Sequence, residues 1–208
     1  MTEFTNDNAA RQKFKAIETY YKGYRFRSRL EARWAIFFDA LNLKWVYEDE
    51  GFTFHNIPVR CYGNKFENYS GSYLPDFYFP ELNYYMEIKG TAATEHENNL
   101  CAALSNFKKC DVFLFDQGLH PVNRFGDIEE SGGSWFKNGE FNDSIVLWMK
   151  CPTCGKIDIT YDGWVHYSRR CHCYDDNHRL KSGGSNHPDV VAALNRALSA
   201  RFEHGESP

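Results

Sequence analysis

The chain has 208 residues, a formal net charge of −4 at pH 7 and an aromatic fraction of 17%. That length supports one sizeable core plus a small appended module, and the aromatic content excludes a disordered chain. With no apolar run long enough for a membrane span and no leader segment, the sequence reads as cytoplasmic. Its seven cysteines then read as thiols or metal ligands rather than a secreted disulfide framework.

Residues 1–23 form a basic N-terminal segment. Between positions 11 and 33 there are eight basic residues against Glu18 and Glu31, a local net of +6 that leaves −10 for the rest of the chain. Tyr20, Tyr21, Tyr24 and Phe26 interleave with these bases. Two readings stand side by side: a surface that tracks phosphate and stacks on bases, or a solvated amphipathic helix. From residue 24 a core region extends to 143. Within it, apolar residues at 30, 34, 37, 38 and 41 have a helical period. Ser28 is placed to cap that helix, with Glu31 three residues on as in a capping box. Glu31 therefore has two readings, a cap or an acid facing whatever sheet the helix covers.

Two strand segments follow, around 44–48 and 51–54, and the Gly-, Asn- and Ser-rich stretch 60–72 reads as a surface loop. YLPDFYFPELNYYMEIKG, residues 73–90, carries the strongest chemical pattern. Phe77, Tyr78 and Phe79 favour a strand, Pro80-Glu81-Leu82-Asn83 a hairpin turn, and 84–89 a second strand. Alternation puts Tyr85, Glu87 and Lys89 on one face and Tyr84, Met86 and Ile88 toward the core. Asp76 and Glu87 at adjacent strand ends offer hard oxygen ligands for Mg²⁺ or Mn²⁺, and Lys89 a cation beside a hydrolytic water. An exposed cross-strand pair is the plain alternative.

Beyond Gly90, residues 95–109 have helical spacing, with His96 and Glu97 read as solvated, and 111–116 is an apolar run suited to a buried strand. Residues 117–144 read as an irregular excursion. A second module spans 144–181, opening with a strand at 144–150 that leads into Cys151-Pro152-Thr153-Cys154-Gly155. Sixteen residues later comes Cys171-His172-Cys173. The intervening Asp162-Gly163 marks a hairpin turn that would return the second pair to the first, closing a zinc ribbon in which Zn²⁺ is structural. Because C-x-C departs from the usual C-x2-C, His172 is an alternative ligand. Cys61, Cys101 and Cys110 read as thiols outside that site. Residues 182–208 complete the chain with an amphipathic helix whose stripe, Val190, Val191, Leu194, Leu198 and Phe202, packs on the core. Arg196 and Arg201 read as ordinary exposed charge.

The order RLEARWAIFF, WVYE, YLPDFYFPE, YYMEIKG resembles the PD-(D/E)xK nuclease superfamily, most closely its small phage and mobile-element members. The resemblance covers residues 24–116. It implies an α/β fold with an αβββαβ restriction-endonuclease-like core and a mixed sheet, here followed by the zinc-ribbon hairpin and the C-terminal helix. It also implies Glu31, Asp76 and Glu87 as the acidic residues, Lys89 as the catalytic lysine and the Ile88 carbonyl as a further metal ligand. The activity it implies is Mg²⁺-dependent endonucleolytic hydrolysis of DNA in preference to RNA, leaving 5′-phosphate and 3′-hydroxyl ends, in a bacterial host's cytoplasm if phage-borne. The competing class is a catalytically inactive nucleic-acid-binding or inhibitor protein that retains the fold.

Overall fold

A computed structural model describes residues 17–60, 66–122, 132–161, 167–168, 171, 173 and 186–202. The chain opens with a hairpin of β1 (Thr19–Tyr21) and β2 (Tyr24–Phe26). The basic stretch from 19 to 26 is therefore a hairpin rather than a helix, while Arg11, Lys13 and Lys15 lie outside the described residues. Of its aromatics only Tyr20 is left exposed, and Phe26 is fully buried. Helix α1 (Arg29–Ala40) follows, capped as expected by Ser28, whose hydroxyl accepts from the Glu31 N–H. Asp39 staples the hairpin to this helix by accepting from the Tyr21 hydroxyl at 2.7 Å and pairing with Lys22 at 2.8 Å.

Strand β3 (Val46–Tyr47) is short. β4 (Phe52–Val59) and β5 (Glu67–Tyr73) pair only with each other. The predicted loop at 60–72 is thus largely a strand, although 61–65 lie outside the described residues. β6 (Phe77–Phe79) and β7 (Tyr84–Ile88) form the predicted hairpin, and helix α2 (Glu95–Lys108) leads to β8 (Asp111–Phe115), which runs parallel to β7. A strand returning parallel to its neighbour needs such a crossover. β9 (Gly133–Lys137) and β10 (Glu140–Lys150) occupy part of the predicted irregular excursion. Asn138 and Gly139 join them with φ of 52° and 87°, the two left-handed positions that a tight type I′ hairpin requires. β11 (Ile157–Tyr161) and β12 (Tyr167–Ser168) come next, and α3 (Pro188–Ser199) is the last described element.

Eight strands make one mixed, curled sheet in the order β12-β11-β10-β9-β8-β7-β6-β3, with β7–β8 its parallel pair. The boundary drawn at 143/144 falls inside β10, and the strands expected of the ribbon extend this same sheet. One face carries α1 and α3 over Trp34, Phe38, Phe77, Phe79, Met86, Phe115 and Trp148. Phe38 meets Phe77 and Phe79 edge-on at 5.1 and 4.8 Å, the geometry that aromatic quadrupoles prefer. Each such ring contributes about 1.5–3 kcal/mol by its burial.

The other face carries α2 and the β4–β5 hairpin over Tyr85, Leu100, Leu104, Val112 and Leu114. Because β7 is internal and covered on both sides, Tyr85 is buried like Tyr84, Met86 and Ile88. The expectation that only one face of this strand meets a core is corrected accordingly. The C-terminal helix packs back on α1 as expected, through Val190, Ala193, Leu194 and Ala197, while Arg196 and Arg201 are exposed. No helix among the described residues is long and apolar enough to cross a membrane.

A carboxylate cleft and a four-cysteine cluster

Asp76 precedes β6, where its carbonyl accepts from the Glu48 N–H at 2.9 Å. Its side chain turns inward and is 3% exposed. Asp76 Oδ2 accepts from the Ile88 N–H at 2.7 Å, and Oδ1 lies 2.5 Å from Arg27 Nη2. Glu87, on β7, is also buried. It accepts from the Tyr73 hydroxyl at 2.9 Å and pairs with Lys89 Nζ at 2.6 Å. Lys89 is aligned by continuation of the parallel ladder, its N–H donating to Phe115 O at 2.7 Å. Glu31 accepts from Ser28 Oγ at 2.6 Å, from the Arg27 N–H at 3.1 Å and from the Tyr47 hydroxyl. It therefore fills the capping role while sitting, buried, at the edge of the same site.

Electrostatics tie these groups together. Burial raises the Asp76 carboxyl well above its ordinary value, and the Glu87 and Glu31 charges push it further. The Ile88 N–H and Arg27 oppose that rise only in part. Burial works against the charge on Lys89, but Glu87 foremost, then Asp76 and Glu97, outweighs it and holds the ammonium protonated. Arg27 is likewise held charged against its burial by Asp76 and Glu48. Neighbouring like charges and burial both disfavour the ionised form of an acid, and opposite charges nearby favour it.

A cleft of about 260 Å³ opens over this cluster, lined in part by Arg27, Tyr73, Glu87, Lys89, His96 and Glu97. Glu97 is not a solvated side chain as expected: it completes a capping box with Thr94 and lies 3.4 Å from Lys89 Nζ. His96 bonds the Tyr69 hydroxyl at 2.6 Å. Sequence reasoning assigns no site role to Arg27, Tyr47, Tyr73 or Glu97. Arg27, Tyr47 and Tyr73 meet their acidic partners from distant elements, so nothing local distinguishes them, whereas the Thr94-x-x-Glu97 capping box is a local signal for Glu97.

The second centre lies at the end of β10. Cys151, Cys154, Cys171 and Cys173 have their sulfurs within 4.8 Å of one another and could bind a metal such as zinc. They are the one group of three or more potential ligand side chains this tightly gathered among the described residues. Glu31, Asp76 and Glu87 are held more loosely. A tight turn makes the first half: the Gly155 N–H donates to Cys151 O at 2.9 Å and the Cys151 N–H to Lys156 O at 2.8 Å. Gly155 takes a φ of 71° there, a conformation glycine adopts without cost. The Cys154 N–H points at Cys151 Sγ and the Cys173 N–H at Cys171 Sγ, each at 3.4 Å. Burial alone would raise the Cys151 thiol, yet the Cys154 amide, the Cys171 thiol and the Thr153 amide bring it down to about 7. His172 and the Asp162-Gly163 turn lie outside the described residues. Neither a known protein family, nor a curated protein, nor a solved structure matches this chain.

Proposed function

We propose that the chain is a divalent-metal-dependent nuclease of PD-(D/E)xK type, with a restriction-endonuclease-like core, acting on DNA. The observation that carries this reading is the gathering of three acids and a lysine: Glu87 and Lys89 line one cleft, and Asp76 lies buried behind Arg27 within electrostatic reach of Glu87 and of Glu31 on the adjoining helix. The donor set fits a hard cation: carboxylate oxygens, one of them on a buried acid that its neighbours raise, together with the Ile88 carbonyl as the family suggests. Bound there, Mg²⁺ or Mn²⁺ supplies a Lewis acid for the phosphate and lowers the pKa of an attacking water.

The remaining chemistry belongs to the chain. Lys89, kept protonated by Glu87, orients the water and offsets charge that grows on the phosphoryl oxygens in the transition state. Tyr73 holds Glu87, and the Ile88 N–H holds Asp76, so neither carboxylate needs to reorganise far. The four cysteines take a structural Zn²⁺, because soft thiolates with no open position suit that metal and not Mg²⁺. A second reading has its own support. Arg27 and Lys89 already neutralise Asp76 and Glu87, as a non-catalytic nucleic-acid-binding or inhibitor protein would need.

The deciding experiment is cleavage of labelled DNA and RNA, single- and double-stranded, with Mg²⁺, Mn²⁺ or EDTA. The expected outcome is metal-dependent DNA cleavage leaving 5′-phosphate ends, abolished in Asp76→Asn. In Lys89→Met turnover should fall roughly 10²- to 10³-fold, as when one transition-state donor is lost, with metal affinity retained. Cleavage by none of these combinations, or equal cleavage by Asp76→Asn, removes the nuclease reading.

A further inference from the structure

Arg27 covers Asp76 from the cleft side. It lines the cleft, whereas Asp76 does not, and their side chains are 53% and 3% exposed. One Asp76 oxygen is taken by a backbone donor, Ile88 N–H, and the other by the half-exposed Arg27 guanidinium. Arg27 Nε also lies 2.7 Å from Glu48 Oε1. The Arg27 backbone is pinned, its N–H donating to Glu31 at 3.1 Å and to the Tyr47 hydroxyl at 3.2 Å. The main-chain anchor of Arg27 is thus independent of the contact its side chain makes with Asp76.

We propose that Arg27 is the resident counter-cation of the metal site: it holds Asp76 until a divalent cation takes that oxygen, then swings on Glu48 into the cleft to grip a phosphate of the nucleic acid. The inference rests on the nuclease reading and adds to it a residue with two successive partners. Two cations cannot share Asp76 Oδ1 at bonding distance, so metal and guanidinium compete there. A guanidinium stays charged at any working pH, and its planar fork matches phosphate as well as carboxylate. With Nε kept on Glu48, the terminal nitrogens released from Asp76 become available to the strand. Metal and nucleic acid then reinforce each other's binding, and thermodynamic linkage makes that coupling reciprocal.

The test uses zinc-replete protein carrying Lys89→Met, which suppresses turnover. Mn²⁺ affinity is measured by calorimetry without nucleic acid, and affinity for a short labelled DNA duplex is measured with and without Mn²⁺. Adding Arg27→Ala should tighten Mn²⁺ binding about tenfold, the equivalent of 1.4 kcal/mol, and should erase the Mn²⁺-dependent gain in DNA affinity. Arg27→Lys, charged but without the fork, should fall between. Simple structural damage would weaken both ligands, so the opposite signs are diagnostic. Unchanged or weaker Mn²⁺ binding in Arg27→Ala overturns the proposal. Should that variant not fold, Arg27→Gln removes the charge and carries the same comparison. A parent protein that binds no Mn²⁺ sensitive to Asp76→Asn overturns the nuclease reading as well. Failure of the Arg27 variants alone leaves that reading standing.

Discussion

The two candidate metal centres store negative charge in opposite ways. At the cysteine cluster, four sulfurs lie within 4.8 Å of one another, and backbone amides of the same short turn face them. Two of its ligands come from one five-residue stretch, and a neutral thiol costs little while it waits for metal. At the carboxylate cleft the charges come from α1, from the approach to β6 and from β7, and they are kept apart by two side-chain cations, Arg27 and Lys89. An ordinary carboxylate is charged near neutral pH where an ordinary thiol is not, and at Asp76 burial and the neighbouring acids push against that charge while Arg27 favours it. Arg27 and Lys89 act as the built-in counter-ions of the two acids. The first arrangement is closed and suits a permanent ion. The second is open to a cleft and suits an exchangeable one.

The largest effect that would break this comparison is loss of the closed centre. Purified protein should contain one zinc per chain without added metal, and Cys154→Ser should lose it. Because metal binding is here folding free energy of about 10 kcal/mol or more, that variant should lose the order of β11 and β12 and expose apolar surface. Cys61→Ser should keep its zinc. Elemental analysis with dye binding decides the point: full zinc in Cys154→Ser would show that the two centres are not different in kind.

A smaller effect sharpens the account of the open centre. Asp76 is raised in the fold from an ordinary 3.8, so folding favours its protonated form. The associated stability is fully present below about pH 4 and is lost as pH rises through the raised value. Thermal melts of zinc-replete wild type and Asp76→Asn, without added Mn²⁺, should therefore coincide most nearly in acid. Wild type should fall progressively behind from about pH 4 upward, and saturating Mn²⁺ should close the gap. A constant difference across pH would mean that Arg27 and the Ile88 amide already neutralise the group completely.

Glu31→Gln carries the smallest expected change in stability, about 1 kcal/mol. Glutamine can still accept from the Arg27 amide and the Tyr47 hydroxyl while losing its charge. Metal affinity and cleavage should nonetheless drop measurably. Full activity in this variant would reduce Glu31 to a helix cap.

What could be read from residue order follows from the same physics. The β6–β7 hairpin, α1, β8 and the cysteine knuckle were legible because each announces itself locally, by period, by a turn or by ligand spacing. β5 was not: Glu67–Tyr73 is mostly polar and forms a strand only because β4 lies beside it. β9 could have been found, since Asn138-Gly139 is a hairpin signal, but it sits in a glycine-rich stretch that reads as loop. The partners of the acidic residues were invisible for another reason. Arg27 reaches Asp76 across 49 positions and Tyr47 reaches Glu31 across 16, and no local pattern distinguishes such a residue from a solvated one. Charge balance in a buried site is a property of topology.

The packing of α3 on α1 has a temporal consequence. The helix bearing Glu31 is emitted early, yet the apolar residues that cover it, Val190 through Ala197, come some 150 positions later. At roughly 5–20 residues per second of synthesis, α1 waits on the order of ten to thirty seconds for its last neighbour. A chain halted at residue 186 should accordingly bind an apolar dye that the full chain excludes, and native-like exclusion by that fragment would remove the point. During synthesis, then, Glu31 meets its own partners Ser28 and Tyr47 early, while the apolar flank of α1 stays open until α3 emerges.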